Sequence, residues 1–260
     1  MADADALLDA TSSGVPAPPT DPPAPPALPD GAVMSLVDHL SELRTRIFRI
    51  IVAVVAGSAV GFYFAKPVRD FLLEPLPGGQ AQVLGPGDAF AIQLRISIVI
   101  GIILAMPVVL YQLWAFVAPG LTPSERRTVR PWIPLALLFF AIGVAIARFI
   151  LPFAVTFLLS FTDEKLVANM AAQPYFDFVT TLFLAFGVVM EFPILLFGLS
   201  RVGILSSARL RAARRYVILV IAVVSAVATP GTDLVSPAVL GFTMYVLFEI
   251  TLQVIRRTGR

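Results

Sequence analysis

The chain has no cysteine, one histidine and two lysines, and charged residues make up only 14% of its 260 positions. Without cysteine there is no disulfide, no thiolate nucleophile and no cysteine-ligated metal. A lone histidine, His39, cannot build a histidine metal cluster. The signatures H-E-x-x-H and G-x-S-x-G and the phosphate-binding P-loop are all missing. Neither a catalytic site, a metal site nor a cofactor is therefore expected, and ATP hydrolysis by this chain is not expected either. Charge this sparse cannot cover a soluble domain of the same size. What the chain has instead is apolar residues, 58% of the total, with a mean hydropathy of +0.87. That is the composition of an all-α integral membrane protein, since barrel strands would alternate with period two.

Residues 1–34 stand apart. GVPAPPTDPPAPPALPD alone holds eight of the 22 prolines, and no lysine or arginine occurs before Arg44. Proline at this density predicts an extended, disordered tail without a core. A signal peptide is not expected there, because a basic n-region and an apolar h-region are both missing. The membrane domain is expected over 35–257, with 258–260 as a short C-terminal end.

A bilayer core of about 30 Å takes about 20 helical residues. Six apolar runs are candidates: 47–65, 96–118, 132–150, 178–200, 216–229 and 234–255. Basic residues sort them. Arg44, Arg46, Arg49, Arg126, Arg127, Arg130, Arg201, Arg209, Arg211, Arg214, Arg215, Arg256, Arg257 and Arg260 flank one side; Lys66, Arg69, Arg148 and Lys165 flank the other. The positive-inside rule then puts both termini in the cytoplasm. It leaves external loops at about 66–92 and 151–176 and a tight external turn around Pro230-Gly231. The fifth run reaches only about 21 Å as a helix, so a short hairpin with the sixth, in locally thinned bilayer, is expected.

Four glutamates matter. Ser35-Leu36-Val37-Asp38 fits an N-cap with an acidic N3 residue and predicts an amphipathic surface helix leading into the first span. On it, Glu42 reads as an i,i+4 partner of Arg46, worth about 0.2–0.5 kcal/mol. Thr122-Pro123-Ser124-Glu125 is a capping box with proline at N1, which accounts for Glu125 structurally. Glu191 lies well inside the fourth run, where a charge costs roughly 2.5–3.5 kcal/mol. Pro193 nearby frees the carbonyl of Val189, so a polar notch facing other helices or a water-filled recess is expected. Glu249, near the end of the sixth run, can snorkel to the surface.

Taken in order, H-L-x-E-L-R-x-R before the first span, YQLWAFVAPGL ending the second, E-R-R after it, F-G-V-x-x-E-F-P in the fourth and M-Y-x-L-F-E in the sixth resemble the TatC family. TatC is the large membrane subunit of the twin-arginine protein translocase. The resemblance runs over about 34–257. It implies a receptor for twin-arginine signal peptides in the bacterial cytoplasmic (inner) membrane, with N-in/C-in topology. It also implies export of folded proteins driven by the proton-motive force, in an oligomer with TatA/TatB-type single-span partners and without nucleic acid. By matching motifs it places Glu42, Glu125, Arg44, Phe116 and Pro119 at signal-peptide binding, Glu191 at an intramembrane polar site, and Pro75 and Asp233 in external loops. Two places depart from the family pattern, the last external turn and the start of P-M-Y. Gly231-Thr232 precedes Asp233 in place of a proline pair, Pro237 stands where glutamine is expected, and Thr243 replaces the proline of P-M-Y. A different class, a secondary transporter using Glu191 as a proton or cation site, would show repeated hydropathy between the halves, and no clear repeat is visible.

Overall fold

In a computed structural model, residues 36–123, 126–127, 130–163, 170–201, 203, 205–229 and 233–257 are described. The proline-rich tail, Glu125, the Pro230-Gly231-Thr232 turn and residues 258–260 lie outside them. Ser35, the expected N-cap, does too, and the first helix begins one residue later. This helix, α1, runs unbroken from Leu36 to Leu73. The amphipathic lead-in and the first apolar run are thus one rod of about 57 Å at 1.5 Å per residue. The other helices among the described residues are α2 (Asp88–Val117), α3 (Trp132–Leu159), α4 (Ala172–Val189), α5 (Phe192–Arg201), α6 (Ser207–Ala212), α7 (Arg214–Ala228) and α8 (Val235–Arg257).

Five segments are long and apolar enough to cross a membrane: Val37–Leu73, Asp88–Gly120, Trp132–Leu159, Ala172–Arg201 and Val235–Arg257. The sequence led us to expect six. The one below that length is the fifth, expected to be short: α7, whose 15 residues span about 22 Å against a core of about 30 Å. Helix ends also overrun the apolar runs. Within the expected loops at 66–92 and 151–176, α1 runs on to Leu73, α2 begins at Asp88, α3 ends at Leu159 and α4 begins at Ala172, because hydropathy marks what lipid tolerates and not where helical hydrogen bonding stops.

The fourth run, read as one span, is two helices. After α4 ends at Val189, the Glu191 N–H bonds the Val188 carbonyl at 3.0 Å, and the Glu191 carbonyl accepts from Ile194 and Leu195 at 3.1 Å each. Pro193 has no N–H to carry the α4 ladder onward, and the chain takes a tighter turn before α5 starts.

Close backbone approach builds the bundle. Without a hydrophobic force between helices in lipid, small residues let backbones pack. On α1 these are Gly57, Ser58 and Gly61; on α2 they are Ser97 and Gly101. A Cβ added at Gly57 would stand 2.7 Å from the Gly101 carbonyl oxygen, and one at Gly61 would stand 2.5 Å from that of Ser97. The serine hydroxyls turn back on their own helices, Ser58 to Val54 at 2.7 Å and Ser97 to Gln93 at 2.6 Å, so no polar group is stranded at the crossing. Helices α3 and α4 meet likewise, a Cβ on Gly143 falling 2.4 Å from the Phe186 oxygen. We expect Gly57→Leu or Gly101→Leu to force α1 off α2. Overpacking of this kind costs about 1–3 kcal/mol, measurable as a lowered unfolding midpoint in detergent; an unchanged midpoint would contradict the packing described.

Buried apolar residues form three groups. The largest joins α2, α3 and α4 around Ile96, Leu151, Phe176, Val179 and Phe186. A second, around Phe197, Met244 and Phe248, joins α5 to α8. There the Trp132 ring stacks on Phe197 at 3.6 Å. The third, Met106, Leu110, Ala136 and Phe140, holds α2 to α3.

At the end of the bundle where α1 stops, the two long connections are tied together. The Gln82 N–H bonds the Met170 carbonyl at 2.8 Å, and the Ala172 N–H bonds that of Gln82 at 2.7 Å. Tyr175 donates its hydroxyl to the Leu72 carbonyl at 2.5 Å. Arg148 pairs with Glu74 at 2.9 Å and lies 4.3 Å from the centre of the Phe71 ring. Pro75, half-buried, follows Glu74 directly, in the most heavily tied part of this end.

Candidate functional site

Where α1 begins and α2 ends, the structure assembles a guanidinium niche. Helical spacing puts Glu42 and Arg46 on one face of α1, and Arg46 Nε donates to Glu42 Oε1 at 3.0 Å, with Nη2 on the same oxygen. The expected i,i+4 pair is therefore present. The sequence did not anticipate the third member. Arg46 Nη1 donates to Gln112 Oε1 of α2 at 3.2 Å, and Gln112 is buried at 7% exposure. An amide inside the otherwise apolar run that ends in YQLWAFVA was the available signal. The side chains of Arg46 and Glu42 keep 16% and 20% of their surface, so this is no fully solvated pair. A shallow recess of about 270 Å³, lined by Ser41, Glu42, Thr45, Arg46 and Arg49, opens beside it.

Gln112 lies within the aromatic end of α2, between Tyr111 and Trp114. Arg126 sits 5.7 Å from the centre of the Trp114 ring, and Trp114 lies against Tyr111 with ring centres 6.3 Å apart. Phe116 is half-buried, while Pro119 is exposed in the 3₁₀ turn Ala118–Gly120 that closes the helix. Arg44 is exposed on α1. Glu125 lies outside the described residues. Beside it, the Arg126 N–H bonds the Thr122 carbonyl at 2.9 Å. Glu42, Phe116 and Pro119 thus share one end of the bundle.

Glu191 is held elsewhere, at the break between α4 and α5. It is half-buried, and its Oε1 has no hydrogen-bond partner among the described residues. Pro193 stands at this break, in the first turn of α5. Asp233 is buried at 4%. Its Oδ2 accepts the Ser236 N–H at 2.7 Å, which makes it the cap of α8. Helix α8 continues through Thr243. Glu249 pairs with Arg214 and ties α8 to α7.

A second polar place escaped the sequence reading. Arg95 of α2 pairs with Asp177 of α4 across a recess of about 470 Å³. The signal was a charge inside each of two apolar segments, QLRISIV and YFDFVTT.

Geometry of this kind can be set beside known proteins. The family model for the Sec-independent protein translocase protein (TatC) matches residues 38–242. The chain belongs to the TatC family. A TatC chain is a component of the Sec-independent protein translocase. Similar proteins include the TatC of Azotobacter chroococcum, 40% identical over 223 residues, covering 84% of this chain and 87% of that one. The TatC of Aquifex aeolicus is 35% identical over 226 residues, 84% of this chain and 93% of that one. A crystal structure of the twin-arginine translocase receptor TatC superposes with a TM-score of 0.73 at 33% identity, covering 85% of this chain and 100% of that one. The TatC likeness accounts for several apolar helices in a multi-pass membrane protein.

Proposed function

We propose that this chain is the twin-arginine signal-peptide receptor and core subunit of a translocase that exports folded proteins, driven by the proton-motive force. It sits in the bacterial inner membrane with both termini in the cytoplasm, and α7 serves as a short fifth crossing among six. Its partners are TatA/TatB-type single-span proteins, assembled with it in an oligomer. Glu42 and Glu125 receive the arginine pair, with Arg44, Phe116 and Pro119 adjoining. Glu191 serves transport after binding, and Pro75 and Asp233 shape the external side.

The observation that carries this reading is the seating of Arg46. A guanidinium fits between a half-buried carboxylate and a buried amide at the end of the bundle that holds the motif residues. A fully exposed ion pair gives only about 0–1 kcal/mol, too little to hold a peptide. A charge-assisted bond in a partly desolvated niche gives about 1.5–3 kcal/mol. Planar, two-pronged donation favours arginine over lysine. In the resting protein Arg46 occupies Glu42; an arriving arginine competes for it.

The deciding experiment is photocrosslinking of a twin-arginine signal peptide to the full chain in membranes, with a twin-lysine peptide as control. We expect adducts within 39–47 and 112–126 for the arginine peptide and about tenfold fewer for the lysine one, the loss of about one charge-assisted contact. Equal labelling by both peptides would reject the receptor reading. Deleting residues 2–33 should leave insertion and export unchanged, since the helical body starts at Leu36; lost export from a stably inserted deletion would contradict that.

A further inference from the structure

The recess between α2 and α4 has chemistry that the receptor reading leaves unused. Arg95 and Asp177 span it as an ion pair, with 45% and 47% of their side chains still exposed. Ile92, Ile98, Val99 and Leu184 supply apolar walls. Its 470 Å³ falls within the roughly 300–1,000 Å³ of small-molecule sites. Arg95 lies seven residues into α2 and Asp177 five into α4, about 10 Å and 8 Å along their helices. Both helices belong to membrane-crossing segments. Each stands one residue before an apolar run, 96–118 and 178–200, at the level where headgroups meet hydrocarbon, and here each compensates the other while about half its surface stays open.

We propose that this recess is a lipid subsite for a zwitterionic headgroup that carries a phosphate and a primary ammonium. Charge complementarity selects the class. An anionic headgroup alone would bring its charge against Asp177, and a cationic one would meet Arg95. A headgroup with both charges exchanges the internal pair for two new ones. The guanidinium offers the phosphate a two-pronged donor. The carboxylate accepts from an ammonium N–H, which a quaternary ammonium does not have. Thr181 is exposed on the same wall, whereas the Thr180 hydroxyl is committed to the Phe176 carbonyl at 2.5 Å. Leu94 and Ile98, 45% and 42% exposed at the rim, continue the surface along which an acyl chain lies. This inference needs only that the chain spans a membrane, so it stands or falls independently of the signal-peptide site.

The test is photolabelling of the full-length chain in phosphatidylcholine nanodiscs containing a photoactivatable phosphatidylethanolamine, with adducts mapped by mass spectrometry. Labels are expected within 91–99 and 173–184. Unlabelled phosphatidylethanolamine should suppress them; phosphatidylglycerol, with no ammonium, should compete about tenfold less well. Asp177→Asn and the double variant Arg95→Gln/Asp177→Asn should each lose labelling about tenfold. The double variant leaves no unpaired charge, so its melting curve reports whether the fold survives, and competition on the unaltered chain needs no variant at all. Equal competition by phosphatidylglycerol, undiminished labelling of Asp177→Asn, or labels confined to other helices would overturn the proposal. So would a photoreactive residue at position 98 that captures a protein in native membranes and no lipid.

Discussion

Glu42→Gln and Glu125→Gln combined should weaken binding of a twin-arginine peptide about thirtyfold while leaving the protein folded and inserted. Each exchange turns a charge-assisted hydrogen bond into a neutral one, a loss of about 1 kcal/mol. If the two carboxylates meet different arginines the losses add, and about 2 kcal/mol is about thirtyfold. Folding should survive because glutamine is a near-isostere at both places. At position 42 its amide oxygen can still accept from Arg46, which keeps its bond to Gln112. At position 125 glutamine serves a capping box nearly as well as glutamate. Peptide affinity is read by titration, and folding by protein level and melting. The outcome separates the two accounts of Glu125. If its whole task is to cap the helix after Thr122, Glu125→Gln binds like the unaltered chain, and only Thr122→Ala or Glu125→Ala does damage. If it receives an arginine, Glu125→Gln binds weakly at normal protein levels.

How far the sequence reaches is best seen at particular residues. The pair Glu42–Arg46 was legible because its spacing along one helix is fixed by 3.6 residues per turn, whatever the rest of the chain does. Gln112 was not, since its role depends on which face of α2 meets α1. That register comes from the close approach of Gly57 and Gly61 to Ser97 and Gly101. The pattern G-x-x-x-G in 57–61 and S-x-x-x-G in 97–101 was available as a packing signal, yet pattern alone does not say which helices pair. The partnership of Arg95 and Asp177 has the same cause, two charges 82 positions apart brought together by the fold of α2 on α4. Pro193 announced a disturbance in the fourth run, and the structure turned that notch into a helix break. Hydropathy gave the apolar runs and marked the fifth as short, and α7 has 15 residues.

Glu191→Leu should make the protein more stable and cut its export by tenfold or more. In the structure the carboxyl of Glu191 is half-buried at the α4–α5 break, with one oxygen lacking any hydrogen-bond partner among the described residues. A polar group left so costs about 1–3 kcal/mol, and the leucine should recover part of it as a raised melting temperature. A residue kept at such a cost is a candidate for function, since strain of this kind concentrates where activity needs it. The break itself is set by Pro193 and survives the exchange, so helix geometry is not what the variant tests. Signal-peptide binding should be unchanged, the guanidinium niche being built from α1 and the far end of α2. Export of a folded reporter should fall by tenfold or more, the scale of losing one interaction of about 1.4 kcal/mol from the transport step. Glu191→Gln divides the functional reading further. Restored export would assign the residue a hydrogen-bonding role in the notch, and continued failure would assign the role to its charge or its proton. Normal export by Glu191→Leu in a stably inserted protein would remove Glu191 from the mechanism altogether and leave it a tolerated polar residue at a proline break.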